Sequence, residues 1–346
     1  MKYKISIIVP FYFSNKKNTS EEKNFALSSF DKCLTAIFNS KYKNYEVILV
    51  SDNSSQSSIE VAKRYPYKII KLKKNFGAAY ARNKGTSSAK GQVLLFIDSD
   101  VEIQENALQI INKYYNTKNN HGILQGVYSH KPIYKNSITQ FMQSYWCYFL
   151  FAQTKKNKYT ETLCTCFFSI KKNIFLENKG FDNNFTKADP EDLDLGFKLI
   201  KNGHKIPLLR KLRCIHHTKF TLVSFIKRTL RIHRNEMKMY LRNKNILMKA
   251  KQSNYSTVIS SLILIFLKAT LVTGSFFYEI SNFKEIFIIL ILLFLGANIR
   301  FLKFILTSKG LLLAFKSLLY VYLHNFLFVI CIFTGVVDFY IFKNKY

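Results

Sequence analysis

Acidic residues are scarce in this chain: 21 Asp and Glu stand against 52 Lys and Arg, a formal net charge of +31. In a soluble protein that excess raises nucleic acid as a partner, but its placement points to a lipid surface instead. Between Lys201 and Ala250, fourteen basic residues accompany the single acid Glu236, interleaved with Phe220, Leu222, Phe225, Ile226, Leu230 and Ile232. Basic and large apolar residues mixed in this way suit an amphipathic helix on an anionic leaflet, so membrane lipids are expected as a partner and nucleic acid is not. A disulfide or zinc framework is also lacking. The six cysteines, Cys33, Cys147, Cys164, Cys166, Cys214 and Cys331, have neither the density of the first nor the paired spacing of the second, so reduced thiols are expected. There is no internal repeat and no low-complexity linker. Met1 to Phe13 holds only a few apolar residues before Pro10, which suits a first strand better than the core of a signal peptide. No Gly-rich phosphate loop follows that strand, where Pro10-Phe11-Tyr12-Phe13 stands, and this weighs against a nucleotidyltransferase.

The composition shifts near Ser256. Before it, short apolar strands alternate with amphipathic stretches; after it come apolar runs whose length matches a bilayer. Three such segments are expected, at 257–280, 286–306 and 311–342, and Lys268, Lys316, His324 and Asp338 within them predict helices packed together or lying partly in the interface. The expected organisation is an α/β domain over 1–217, a basic interfacial segment over 218–256 and a membrane domain over 257–346. Basic residues flanking the first span place the α/β domain on the cytoplasmic side of the inner membrane of a multi-pass protein.

Within the first part, Ile5 to Val9, Tyr45 to Val50, Tyr67 to Leu72 and Val93 to Ile97 read as buried strands. Helical spacing appears at Phe25 to Asn39, Ile59 to Arg64 and Gly77 to Ser88, while Ser14 to Lys23 reads as a polar surface loop. Strands alternating with helices predict a mainly parallel, Rossmann-like sheet by the right-handed crossover rule. Tyr128 to Phe151 is rich in aromatics and fits an acceptor-side wall, a lipid-facing helix or an ordinary buried helix.

The fourth strand runs directly into Asp98-Ser99-Asp100. Open α/β sheets bind ligands at the carboxyl ends of their strands. Carboxylates at i and i+2 there can share one hard cation, and Mg²⁺ commonly uses one or two protein carboxylates together with substrate phosphates. After the third strand, Asn75-Phe76-Gly77-Ala78-Ala79 lets a helix start approach a phosphate, with Arg82 one turn further in. Four acids cluster further along: Asp182, and then Glu191, Asp192 and Asp194 at a helix start, where capping accounts for only some of them. His216-His217 offers imidazole for a cation.

The ordered motifs SIIVPFY (6–12), VSDNSS (50–55), NFGAAYARNKG (75–85), FIDSD (96–100), GFD (180–182) and EDLDLG (191–196) resemble the family 2 inverting glycosyltransferases of GT-A fold, in a membrane-anchored bacterial form. The similarity covers roughly Ile5 to Arg234. It implies an α/β, mixed, mostly parallel sheet followed by C-terminal transmembrane helices. It also implies a nucleotide-sugar donor, UDP-linked by preference, bound at Pro10, Tyr12, Asp52, Asn75, Gly77, Arg82, Asp98 and Ser99. By the same resemblance Mg²⁺ or Mn²⁺ is held by Asp98, Asp100 and His216, with His217 as the alternative imidazole. Asp192 is the catalytic base, and Glu191 and Asp194 lie on the acceptor side. The acceptor is expected to be a glycan or lipid-linked hydroxyl, in cell-surface polysaccharide or glycolipid synthesis.

Three departures narrow the expectation. The usual acid pair after the second strand is Ser51-Asp52, leaving one carboxylate for the base. Phe225-Ile226-Lys227-Arg228-Thr229 stands where processive synthases carry Gln-x-x-Arg-Trp. Val101-Glu102 after Asp100 lowers the weight of the polyprenyl-phosphate sugar transferases. A basic membrane-surface binding protein with a degenerate transferase domain is the alternative of another class.

Overall fold

The computed structural model describes residues 5–14, 19–129, 134–153, 159–160, 162–186, 190–243, 259–266 and 283–346. The chain forms two compact units: Met1–Ile133 with Leu150–Thr218, and Tyr134–Phe149 with Lys219–Tyr346.

The first unit is built on a nine-stranded mixed sheet. Its strands are β1 (Ile5–Phe11), β2 (Tyr45–Ser51), β3 (Lys68–Lys71), β4 (Val93–Ile97), β5 (Val101–Ile103), β6 (Ile123–Tyr128), β7 (Tyr159–Thr160), β8 (Phe167–Lys171) and β9 (Ile206–His216). The order is β3-β2-β1-β4-β8-β6-β9-β5, with β7 on β9. The half β3-β2-β1-β4 is parallel throughout; β8 then runs antiparallel to both β4 and β6. The helices are α1 (Ser20–Phe38), α2 (Gln56–Ala62), α3 (Ala78–Ser88), α4 (Ala107–Tyr115), α6 (Lys172–Glu177) and α7 (Glu191–Lys201), with α5 (Ser137–Gln153) crossing between the units.

Both β1 and β4 are buried at every residue, as expected of strands covered on two faces. On one face Phe96 stacks on Phe168 at 5.1 Å and meets Phe181 edge-on at 5.4 Å. Helix α3 packs tightly on the parallel half because Gly85 has no side chain: a Cβ there would lie 2.6 Å from Ile8 Cγ2. The expected loop over Ser14 to Lys23 is corrected at its end. Helix α1 begins at Ser20, since Thr19 Oγ1 accepts from Glu22 N at 3.2 Å while Glu22 Oε2 accepts from Thr19 N at 3.3 Å. This capping box satisfies two amides that would otherwise lack partners, which stabilises the extra turn.

The second unit contains most of α5, then α8 (Leu222–Arg242), α9 (Phe283–Lys309) and α10 (Leu311–Tyr340). Lys284–Lys309 and Leu311–Tyr340, with mean hydropathy 2.2 and 1.9, are long and apolar enough to cross a membrane. At 1.5 Å per residue each exceeds a hydrocarbon core of about 30 Å. Of the first expected segment, 257–280, only 259–266 is described, and it is helical. Basic helix α8 forms as expected from 222 onward, while 244–256 lies outside the described residues. Its apolar face packs on α10: Phe225 is fully buried, its ring facing His324, and Cys331 Sγ donates to Leu230 O at 3.3 Å. Two polar residues that the sequence places in the third span find partners there, Asp338 with Arg234 Nε at 3.2 Å and His324 Nε2 with His233 Nε2 at 3.1 Å. In α5, Phe141 is buried against Phe225, Phe301 and Tyr320, so this part of the aromatic helix is a core element of the second unit.

Candidate active site

The carboxyl ends of β1, β2 and β4 converge on one edge of the first unit. Pro10 and Phe11 are buried at the end of β1, and Tyr12, just beyond, is 49% exposed. Asp52 follows β2, its amide donating to Phe11 O at 3.0 Å. Its two carboxylate oxygens take the amides of Phe76 and Gly77, each at 2.8 Å. Burial pushes the Asp52 carboxyl upward, against the two amides that favour its charge. The acid expected to meet a nucleobase therefore also clamps the loop that opens α3. Asn75 Oδ1 adds a bond from Gly77 N at 3.1 Å.

Gly77 has φ of 93°, and a Cβ on it would lie 2.7 Å from the backbone of Thr186. Gly77→Ala is expected to cost about 1–3 kcal/mol, from positive φ and overpacking together. A lowered thermal unfolding midpoint would register it; an unchanged midpoint would mean that the 186 segment yields.

Arg82 and Asp98, expected at the diphosphate, meet each other. Arg82 is buried, with Nη2 donating to Asp98 Oδ1 at 2.7 Å and Nη1 donating to Glu191 Oε1 at 2.8 Å. Burial alone would lower the guanidinium's pKa, but the two carboxylates outweigh it and hold the group above its ordinary range. Asp98, Ser99 and Asp100 form a turn closed by Val101 N donating to Asp98 O at 3.0 Å, and all three are half-buried.

Asp100 is brought to β9 by the pairing of β5 with it. His216 Nε2 lies 3.1 Å from Asp100 Oδ2, and the Tyr128 ring stacks on the imidazole at 5.5 Å and 10°. His217 is oriented differently: its Nε2 is 2.7 Å from Glu102 Oε2. Among the described residues, no group of three or more His, Cys, Asp or Glu side chains is arranged to hold a metal ion. The convergent pair Asp100 and His216 fits a divalent cation as part of a shell, a carboxylate oxygen with an imidazole nitrogen, with the remaining positions left to phosphate and water.

Asp192 lies in the first turn of α7, half-buried. Its carboxylate accepts from Leu193 N at 2.9 Å and Thr165 N at 3.4 Å. Burial pushes its pKa up to about 6, with Arg82 opposing and Asp98 adding to the rise. Burial also raises its neighbour Glu191, again against Arg82. Asp194 is buried and paired with Lys198 Nζ at 2.7 Å on its own helix. Of the two expected acceptor-side acids, then, one binds Arg82 and the other a lysine of α7.

Two participants carried no signal in the sequence: Thr165 holds Asp192 by its backbone, and Gln125 fixes the 164–167 segment through Cys164 N at 2.9 Å and Phe167 O at 3.2 Å. Tyr128, the first residue of the expected aromatic stretch, ends β6 and stacks on His216 instead of belonging to the helix. Nearby, Cys164 Sγ lies 3.0 Å from Cys166 Sγ, both as free thiols.

An acidic turn and a half-buried carboxylate lie at the carboxyl edge of a mixed α/β sheet, where such sheets bind ligands. The sequence matches Glycosyl transferase family 2 over residues 6–177 and Glycosyl transferase family group 2 over residues 93–341. The chain belongs to glycosyltransferase family 2. It is 31% identical over 114 residues to a cholesterol galactosyltransferase of Borreliella burgdorferi, covering 32% of this chain and 28% of that protein. To glycosyltransferase YibD of Escherichia coli it is 30% identical over 104 residues, 29% of this chain and 27% of the relative. The chain therefore spans under a third of the length of both. The mannosyltransferase PcManGT of Pyrobaculum calidifontis, solved in complex with GDP-Man and Mn²⁺, shares the fold. Its TM-score is 0.54 at 12% identity, over 98% of this chain and 87% of that one.

Proposed function

We propose that this glycosyltransferase moves a sugar from a nucleotide-diphosphate sugar, with inversion, to a hydroxyl of a glycan or lipid-linked acceptor in cell-surface polysaccharide or glycolipid synthesis. The observation that carries this reading is Asp192, a half-buried carboxylate in the first turn of α7, held by Leu193 N and Thr165 N and close enough to Asp98 that this acid, with burial, disfavours its charge. A base poised near neutral pH takes the acceptor proton as the new glycosidic bond forms, and inversion needs no covalent intermediate on the protein.

Tyr12, the Asp52-clamped loop of Asn75 and Gly77, and Ser99 form the donor side, with Pro10 shaping its floor. Asp100 and His216, with Asp98 alongside, are the residues that would hold Mg²⁺ or Mn²⁺. When bound, such an ion neutralises charge growing on the departing diphosphate. His216 is preferred to His217 because it faces Asp100 while His217 faces Glu102. The GDP-Man and Mn²⁺ in PcManGT support a nucleotide-sugar donor and a divalent ion.

Helices α9 and α10, with basic α8 beside α10, support a multi-pass protein of the inner membrane with its catalytic unit on the cytoplasmic side. Confining enzyme and lipid-linked acceptor to one surface raises their effective concentration. Thermal unfolding of the full chain against UDP- and GDP-sugars, with and without Mn²⁺, tests the donor class. One nucleotide sugar should raise the midpoint only when Mn²⁺ is present, since ligands of the folded state alone stabilise it. No shift with any nucleotide sugar at millimolar concentration would overturn the reading.

A further inference from the structure

We propose that Arg82 is a positioning residue: it ties the acid that ends β4 to the acid that precedes the base on α7, and it does not bind the donor's diphosphate. The inference rests on the function proposed above and changes the parts that the family resemblance implies for Arg82 and Glu191.

Both terminal nitrogens of Arg82 are engaged by carboxylates from distant parts of the chain, Asp98 16 residues away and Glu191 109 residues away. The side chain is 4% exposed, its guanidinium lies 5.5 Å from the Phe181 ring, and its Nε is shut from solvent with no acceptor. Glu191 is equally enclosed, its side chain 5% exposed. If Arg82 swung toward a diphosphate, Glu191 would be left as a buried charge without its cation. That cost exceeds what a solvent-screened phosphate contact returns.

The strut has a specific effect because of chain adjacency. Glu191 is the first residue of α7 and Asp192 the second. Fixing the Glu191 carboxylate fixes the first turn of α7, and with it the direction of the Asp192 side chain. Fixing Asp98 Oδ1 sets the acidic turn against the same guanidinium. Arg82 thereby sets the spacing between the donor-side acid and the acceptor-side base. Lysine retains the charge but cannot bridge two carboxylates with a rigid fork.

The test uses the full-length chain in detergent, with Arg82→Lys, Arg82→Gln, Glu191→Gln and the double variant Arg82→Gln/Glu191→Gln. Calorimetric affinity for UDP and GDP with Mn²⁺ is expected to stay within about twofold in Arg82→Lys and Glu191→Gln, while kcat falls about tenfold or more and donor KM holds. The double variant should turn over no more slowly than Arg82→Gln alone, because both substitutions break the same unit. A tenfold rise in nucleotide Kd or donor KM in Arg82→Lys, with kcat kept, would make Arg82 a diphosphate ligand and overturn the proposal. Thermal unfolding supplies a readout that needs no turnover. Arg82→Gln should lower the midpoint by about 5–10 °C, and the double variant should lose less than the sum of the two singles. Additive midpoint losses would overturn the strut. A wild-type chain with no transfer activity would count against the proposed function, and the unfolding cycle would still decide the strut.

Discussion

Asp192→Asn is expected to fold, to bind the donor nucleotide with unchanged affinity, and to lose transfer by roughly 10²- to 10⁴-fold in kcat. Asn keeps the shape, and its single oxygen can still accept from Leu193 N, the shorter of the two bonds that hold the wild-type carboxylate; the 3.4 Å bond from Thr165 N to the other oxygen is lost. What it lacks is a basic oxygen to take the acceptor proton. The pH profile gives a second signature. A carboxyl whose pKa is raised to about 6 must lose its proton before it acts, so wild-type kcat/KM should fall about tenfold per pH unit below that value and level off above it. In Asp192→Asn this limb should vanish along with the rate. An Asn variant within threefold of wild type would remove Asp192 from the role of base.

The four strands of the parallel half were legible to within one or two residues at their ends. Val93 to Ile97 is the fourth strand with the expected bounds, because five apolar residues ending in Asp98 have no amphipathic alternative to a doubly covered strand. The other half was not. β8 ends in Lys171, and β9 carries the adjacent exposed residues Arg210 and Lys211, then Arg213, and includes Pro207, so no clean alternation marks them. The start of α1 was misplaced because the polar run before Phe25 looks like a loop until Thr19 and Glu22 are seen as reciprocal caps. At the site, residue types were legible and partners were not. Asp98, Asp100, Asp192 and His216 stand out by their motifs. That Arg82 reaches Glu191, or that Thr165 N reaches Asp192, depends on contacts across 109 and 27 residues, which no local spacing encodes.

Excess EDTA is expected to bring transfer to background, and added Mn²⁺ or Mg²⁺ to restore it. With the donor proposed above the leaving group is a nucleoside diphosphate, whose negative charge rises as the bond to the sugar breaks. Arg82 is already committed to Asp98 and Glu191, so it is not placed to replace the ion. Losing electrostatic stabilisation of this kind costs about 10²- to 10³-fold per interaction, and Asp100→Ala should fall at least that far. The two histidines separate the role of ligand from that of support. His216→Ala should raise the Mn²⁺ concentration needed for half-maximal rate by about tenfold or more, since the ring beside Asp100 Oδ2 is gone. His217→Ala breaks the contact with Glu102 Oε2 instead, so it should lower thermal stability and leave the Mn²⁺ dependence where it was. Full transfer rates in EDTA would remove Asp100 and His216 from metal binding and leave their 3.1 Å pair as a brace between β5 and β9.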